Sequence, residues 1–357
     1  MQQRPIVSFA ILALVLAAPC TRAQDMPDMK PAAELQKYAP FVGAWKGSGT
    51  YQPTPEAPKI KWTVHEEAKW VLGGHFLEVR TEVAFTGDMP PMSMRGLYGW
   101  DREARRHVML ASNSMGKVAR AYVDFAADGT MLIATMGTHE GKPYLSRETV
   151  RFAKDRYELK IENAMGTGPF FVEVEGVMER AADAKLAAVA AEASAAKPGP
   201  EMAKMQRLLG TWQVKGTMIP SPGAPPMEIS GRETYEAAPG GNVLHSHTVG
   251  DPVAMPGATE KVSYEGISFL GWNPESRCYE WVSADSMGMV GYMRTWWSDE
   301  HTLVMTCSDP MMGQPCAMRG ILAFGKDGQP AIRFSSERFP GAGPMLKDFE
   351  ATYTRAR

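Results

Sequence analysis

Charge of one sign is what this chain most lacks. Its 38 Lys and Arg stand against 40 Asp and Glu, a formal net charge of −2. The basic residues do not cluster either, so the electrostatic footprint of a nucleic-acid binder is missing and no nucleic-acid partner is expected. Beyond the N-terminus no apolar run approaches the ~20 residues that a spanning helix needs. Catalytic signatures are also missing: there is no G-x-S-x-G elbow, no H-E-x-x-H and no G-x-x-x-x-G-K-[ST]. The nearest glycine cluster, GSG at 47–49, falls inside a strand-like stretch rather than at a strand-to-helix turn. No nucleophile and base can be paired, so no enzymatic activity is predicted, and catalysis stays open only on an unfamiliar site. Cysteine is scarce, with four residues in 357, and the three outside the N-terminal segment (Cys278, Cys307 and Cys316) have no zinc-site spacing.

What is present suits one or two globular domains: 44% of residues are hydrophobic and 22% charged. The N-terminus, MQQRPIVSFAILALVLAAPCTRA, has Arg4 in a short first region, an apolar run through Ala18, and small residues Thr21 and Ala23 placed for cleavage. Residues 1–23 are therefore expected to be a signal peptide, which puts the mature protein in the periplasm or outside the cell, with no membrane span once the leader is removed. Pro19 before Cys20 is a poor fit to a lipobox. In an exported chain, Cys307 and Cys316, which bracket the loop-like CSDPMMGQPC, are expected to form a disulfide with Cys278 left packed. The alternative is three buried thiols.

The organisation is set by a repeat. FVGAWKGSGT at 41–50 returns as LLGTWQVKGT at 208–217, so that Trp212 follows Trp45 by 167 residues. Pro53, Pro58 and Gly73-Gly74 keep that offset to Pro220, Pro225 and Gly240-Gly241. Gly99-Trp100, Ser114-Met115-Gly116, Arg147 and Phe152 match Gly271-Trp272, Ser286-Met287-Gly288, Arg319 and Phe324 at an offset of 172. VEGVMER at 174–180 aligns with FEATYTR at 349–355. One domain has been copied once, with short insertions. The copies are expected at 31–180 and 201–357, joined by an Ala-rich helical or partly flexible linker at 181–200 that Pro-Gly-Pro ends.

Each copy is a run of short alternating segments punctuated by Gly, Pro, Asp and Asn. In the second, strands are expected near 211–218, 226–236, 242–249, 262–272, 277–284, 289–297, 302–307, 316–324, 330–336 and 346–355. The fold class is all-β: two similar antiparallel up-and-down barrels in tandem, each of about ten strands and roomy enough for a ligand cavity. A two-sheet sandwich is the competing architecture. AAELQKYA (32–39) and EMAKMQRL (201–208) are expected as short helices at the barrel entrances.

LLGTWQVKGT, PGAPPMEISGRETYE, GGNVLHSH, FLGWNPESRCYEW, ADSMG and ATYTR together resemble the bacterial family catalogued as domain of unknown function 1579, and 41–180 resembles it more loosely. G-x-W on the first strand is also similar to the entry motif of calycin-type barrels such as lipocalins and nitrobindins. The resemblance implies a barrel that holds a ligand, and names no activity.

Alternation selects the candidate site residues. Trp62, Glu66 and Trp70 share one face of a strand, as do Glu233 and Tyr235 in the second copy, so Glu66 and Glu233 are single acids on otherwise apolar faces. A carboxylate there contacts a ligand or cation, or else is a structural partner for an inward group, because an unpaired buried charge is too costly. Arg147 and Arg319 are the candidate partners or ligand clamps, although Val150 and Phe152 lie on the face opposite Arg147. Asn113-Ser114 and Asp285-Ser286 end the fifth strands, where they orient a ligand or simply stabilise turns. The candidate ligand-binding set is Trp45, Trp62, Glu66, Trp212, Glu233, Tyr235, Asp285 and Arg319.

His245 and His247, spaced i, i+2, could present two imidazoles to a metal, but copy one has Glu78 and Arg80 there. No His falls in the last two strands of either copy, so haem is not expected, and no cofactor is predicted. Methionine is abundant, with 25 residues including MPPMSM at 89–94; it suits an adaptable apolar cavity or soft Cu(I) ligation. Three functions follow: a barrel binding a small apolar or amphiphilic molecule, a copper handler built on Met and His, and a structural or interaction module with filled barrels. N-terminal sequencing of the protein recovered after export should begin at Gln24, and a retained leader would overturn the signal-peptide assignment.

Overall fold

A computed structural model describes residues 30–356 except 140, 183–197, 220–223, 255–260, 309–315, 326–330 and 341–345. The expected leader (1–23) and most of the expected linker lie outside the described residues. The first copy folds as strands β1 (Gly43–Tyr51), β2 (Ile60–Val71), β3 (Phe76–Phe85), β4 (Met92–Asp101), β5 (Arg106–Asn113), β6 (Val118–Phe125), β7 (Met131–His139), β8 (Lys142–Phe152), β9 (Arg156–Met165) and β10 (Phe171–Ala181). Each pairs antiparallel with its sequence neighbours, and β1 pairs with β10, which closes a ten-stranded barrel.

The second copy repeats this plan with β11 (Gly210–Met218), β12 (Met227–Ala237), β13 (Val243–Gly250), β16 (Glu265–Asn273), β17 (Cys278–Asp285), β18 (Val290–Trp297), β19 (Thr302–Cys307), β20 (Cys316–Phe324), β21 (Ala331–Pro340) and β22 (Leu346–Arg355). It closes through β11 and β22. A small hairpin, β14 (Val253–Ala254) with β15 (Lys261–Val262), interrupts the connection to β16. The ten expected strands are thus present in order, and the main boundary differences are the later start of β16 and the extension of β21. A barrel rather than an open sandwich results, because full closure removes both unpaired sheet edges.

Alternation decides the inside of each wall. Along β2, Trp62, Val64, Glu66 and Ala68 are buried while Lys61, Thr63 and Lys69 are exposed. One end of the first barrel is plugged by a 3-10 helix, Ala33–Phe41, which inserts Leu35, Tyr38 and Phe41. The Tyr38 ring meets Tyr98, His107 and Phe125 edge-on at 5.2 to 5.7 Å. The corresponding plug of the second barrel is the helix Pro200–Met205 followed by a 3-10 turn, Gln206–Leu208, burying Met202, Met205 and Leu208. Both expected entrance helices are therefore present, the first in 3-10 rather than α form and with Pro40 inside it.

The G-x-W motif ties plug to wall. Trp45 is fully buried and its Nε1 donates to Phe41 O at 2.7 Å; Trp212 Nε1 donates to Leu208 O at 2.6 Å. Across the seam where the barrel closes, the Arg180 guanidinium lies 4.3 Å from the Trp45 ring centroid and donates to Val42 O and Pro40 O. Arg355 does the same over Trp212 at 4.8 Å. Gly43 and Gly210 have φ of +126° and +103°, and a Cβ at either would sit 2.7 to 2.8 Å from the guanidinium, so the motif needs glycine for both conformation and space.

The two barrels meet through equivalent faces. Phe76, Leu97, Leu110 and Val118 of the first barrel pack in one apolar cluster with Val243, Phe269, Val282 and Val290 of the second, and these are corresponding positions of the repeat. At its margin Arg95 reaches over Phe269, and Ser112 Oγ lies 2.9 Å from His245 Nε2.

Replacing Arg180 with Ala removes a cation–π contact and two carbonyl partners. It should cost about 2 kcal/mol of first-barrel stability in urea unfolding. Arg156→Ala, at an exposed pair with Glu158, should stay within ~0.5 kcal/mol. Equal losses in the two variants would show that the seam contact carries no special weight.

Candidate functional site

The first barrel encloses a cavity of about 490 Å³, closed by the plug helix at one end and opening between the loops at the other. Its wall is apolar for most of its extent, with Phe41, Val64, Val79, Met109, Ile133 and Val150 among the lining residues. Trp62 packs its ring against the β1–β10 seam, in a space kept free by Gly49 and Gly176: a Cβ on either would come within 2.3 to 2.5 Å of its ring. The Trp62 Nε1 has no hydrogen-bond partner among the described residues. Met89, Met92, Met94 and Met115 stand at the mouth with Tyr51, Phe85 and Tyr144.

Three glutamates line this space: Glu173, beside Tyr51 at the mouth, accepts from Asn163 Nδ2, and Glu66 and Glu148 lie near each other further in. Glu66, buried on β2, accepts from Tyr157 Oη at 2.6 Å and Thr81 Oγ1 at 2.9 Å. Burial raises its pKa, and the two hydroxyl bonds oppose that rise. Glu148, on β8, is half-buried and lines the cavity. No hydrogen-bond donor among the described residues reaches it. Burial, and then the negative charge of Glu66, push it up to about 7. Tyr98 completes the group; burial, followed by Glu148, Glu66 and Tyr38, holds its hydroxyl protonated far above the usual range.

The second barrel keeps only part of this arrangement. Glu233 is the counterpart of Glu66; burial raises its pKa, and the hydroxyls of Tyr235, Ser246, Thr248 and Tyr353 around it oppose that rise. The position corresponding to Glu148 is Gly320, and the Met305 side chain fills the space a side chain there would need. Tyr98 and Tyr157 correspond to Leu270 and Ile332. Large side chains occupy this interior, with Trp212, Tyr235, Trp281 and Phe324 in one buried cluster.

The structure thus brings Trp62 and Glu66 together at the cavity and places Trp45 beside them as a packing residue, its ring 5.0 Å from that of Tyr157. Trp212, Glu233 and Tyr235 share the interior of the second barrel. Two expected members belong elsewhere. Arg319 lies on the exposed outer face, where its Nε donates to Glu337 at 3.1 Å, and Arg147 is likewise paired outside with Glu162. Neither arginine meets an interior glutamate; hydroxyl groups take that role, because they satisfy a carboxylate without bringing a second charge into the barrel. Asp285 performs turn chemistry, accepting from the backbone N–H of Met287 and Met289, as Asn113 does from Met115 and Lys117.

His245 and His247 do not converge. The former is half-buried at the barrel–barrel contact, its pKa lowered to about 3 by desolvation and then by Arg95 and Arg80; the latter pairs with Glu265 on the surface. No group of three or more His, Cys, Asp or Glu able to hold a metal occurs among the described residues. Cys307 and Cys316 stand on the adjacent strands β19 and β20, and the disulfide expected between them falls on the Cys316 side chain, which lies outside the described residues.

Glu148, Tyr98 and Tyr157 were not singled out from the sequence. The signal for Glu148 was available, since it shares strand parity with Val150 and Phe152 and so is an acid on an apolar face, as Glu66 is.

The sequence profile of the family described as "Protein of unknown function (DUF1579)" matches residues 30–180 and again 197–355. The chain belongs to this family, in two tandem copies. No curated protein matches this DUF1579 chain. Among solved structures it is similar to Rv2717c from M. tuberculosis, with 16% identity, a TM-score of 0.34, and 43% of this chain and 99% of that one covered. It is also similar to the S-type phycobiliprotein lyase CPES from Guillardia theta, at 12% identity and a TM-score of 0.32, over 43% of this chain and 96% of that one. A protein of the DUF3598 family from Nostoc punctiforme covers 91% of the DUF1579 chain and 100% of its own length, at 10% identity and a TM-score of 0.27. Likenesses this remote carry no functional argument.

The titration of Glu148 gives a test of the site. A carboxyl whose pKa is higher folded than unfolded takes up a proton on folding, so stability is lost as pH rises from the ordinary value of 4.5 toward 7. The groups facing it are Glu66, Tyr98 and Tyr157, and Glu66 shifts in the same direction. Between pH 5 and 7.5, Glu148→Gln should gain on wild type in thermal unfolding by an amount on the order of 3 kcal/mol. Parallel pH profiles would place this carboxyl in solvent instead.

Proposed function

We propose that the protein is an exported binding protein whose first barrel takes up one small apolar or amphiphilic molecule, with the second barrel as its folded support. The observation that carries this reading is the enclosed cavity. Its volume falls within the ~300–1,000 Å³ range of small-molecule sites, and its apolar wall is broken by a few convergent polar groups. The mouth supports it too: Met94 and Met115, which line the cavity opening, are large apolar side chains left exposed. Methionine adapts to irregular ligands because it is unbranched and polarizable. Export rests on the leader-like N-terminus, and a mature protein outside the cytoplasm would meet such molecules directly. A depression of about 420 Å³ on the outer wall, lined by Thr149, Arg151, Glu158 and Lys160, is open and charged and suits no such ligand. The mouth methionines also motivate a second reading, capture of Cu(I), which prefers thioether sulfur.

Nile red, a neutral apolar dye, should bind saturably with one site per chain and be displaced by dodecanol. Ala119→Trp, which fills the cavity from β6, should abolish this while leaving the far-ultraviolet spectrum unchanged. No saturable binding of dye or alcohol to the folded protein would leave filled structural barrels as the better account, and Cu(I) uptake with no dye binding would favour the metal reading.

A further inference from the structure

The polar groups of the cavity are unbalanced in sign. Three carboxyl groups line it, the neighbouring pair Glu66 and Glu148 and, beside Tyr51 at the mouth, Glu173, to which Asn163 Nδ2 donates; no basic side chain enters beside the Glu66–Glu148 pair. Arg95 borders the cavity but turns its guanidinium outward onto Glu78 at 2.5 Å. Arg147 is held outside by Glu162. Lys117 stays at the mouth, its Nζ 5.6 Å from the Tyr144 ring centroid. Glu66 has two hydroxyl donors, whereas Glu148 has none among the described residues. A buried carboxyl without a donor is costly to ionise, and it is the polar atom that a ligand can satisfy.

We infer that the ligand of the first barrel is a cationic amphiphile, a hydrophobic amine or quaternary ammonium compound whose head lies between Glu148 and Glu66 and whose tail runs toward the methionine-rich mouth. This rests on the reading of the first barrel as a binding site. A fatty acid would bring a further carboxyl into a space lined by three, with no cation beside Glu66 and Glu148, and like charges in a buried site disfavour one another strongly. A neutral alcohol would leave the Glu148–Glu66 repulsion in place. A cation relieves it, and the rings of Tyr98 and Tyr157 border the same space as potential cation–π partners. The second barrel makes the contrast: where Glu148 stands in the first, it has Gly320 under Met305, and its remaining acid, Glu233, has the hydroxyls of Tyr235, Ser246, Thr248 and Tyr353 around it.

Four twelve-carbon ligands differing only in the head group test this: dodecylamine, dodecyltrimethylammonium, dodecanol and dodecanoate. Each is titrated against Nile red on the full chain at pH 7.5, below its micelle concentration. The two cations should bind at least about tenfold tighter than dodecanol, and dodecanoate most weakly. Glu148→Gln should lower the cation affinities about tenfold and leave dodecanol within about twofold. Glu66→Gln, a second variant that keeps an acceptor for Tyr157 and Thr81, should also reduce the preference for cations. Millimolar Ca²⁺ should not displace the dye, and displacement by Ca²⁺ would mean a metal site instead. Dodecanoate binding as tightly as the cations, or a cation preference unchanged in Glu148→Gln, overturns the inference while dye and dodecanol binding still support the carrier reading. Failure of the dye and all four ligands overturns both.

Discussion

The seam where the first and last strands meet is the constraint on which the rest of each barrel depends. A ten-stranded meander is stable only if its two edges find each other, and they are the strands farthest apart in sequence. Trp45 and Trp212 stand at that junction. One side of the ring packs the interior, the indole N–H holds the plug, and the arginine from the last strand covers the other side. A single cluster therefore closes the wall, seals one end and fixes where the plug sits. The cavity of the first barrel opens only at the far end because this end is committed.

Most of that architecture was legible in the sequence, because the signals behind it are local and occur twice. Period-two alternation and turn residues mark strands, and the ordered block of matches marks the duplication. The seam arginines were visible as the last residues of VEGVMER and FEATYTR, but nothing local says that they fold back onto a tryptophan well over a hundred residues earlier. The site was legible only in part. Glu66 stood out against apolar neighbours, whereas its partners Thr81 and Tyr157 come from other strands and depend on barrel register. Arg319 misled for a related reason: a residue kept in both copies suggests a shared task, and the task is an ion pair on the outer face.

The two copies differ in how they treat the same buried acid. In the second, Tyr235 on the same strand and Tyr353 on the last strand join Ser246 and Thr248 around Glu233, and Trp281 shares the buried cluster with Tyr235. In the first, Glu66 has two hydroxyl partners and faces a second, unpartnered acid across open space. The inward residues of β4, β8 and β9 decide this difference: Tyr98, Glu148 and Tyr157 in one copy, Leu270, Gly320 and Ile332 in the other.

The contact between the barrels has a consequence for how such a chain arises. Because Phe76, Leu97, Leu110 and Val118 meet their own counterparts Val243, Phe269, Val282 and Val290, the junction is built like that of a two-fold homodimer. A single-copy ancestor would have carried the same sticky face and paired with itself through it. Joining two genes head to tail turns that encounter into an intramolecular one, at an effective concentration set by the length of the join. Selection then has two interiors to act on behind one shared face. Each interior can diverge separately, as Glu148 and Gly320 have at one position, a freedom closed to a symmetric pair made from one gene.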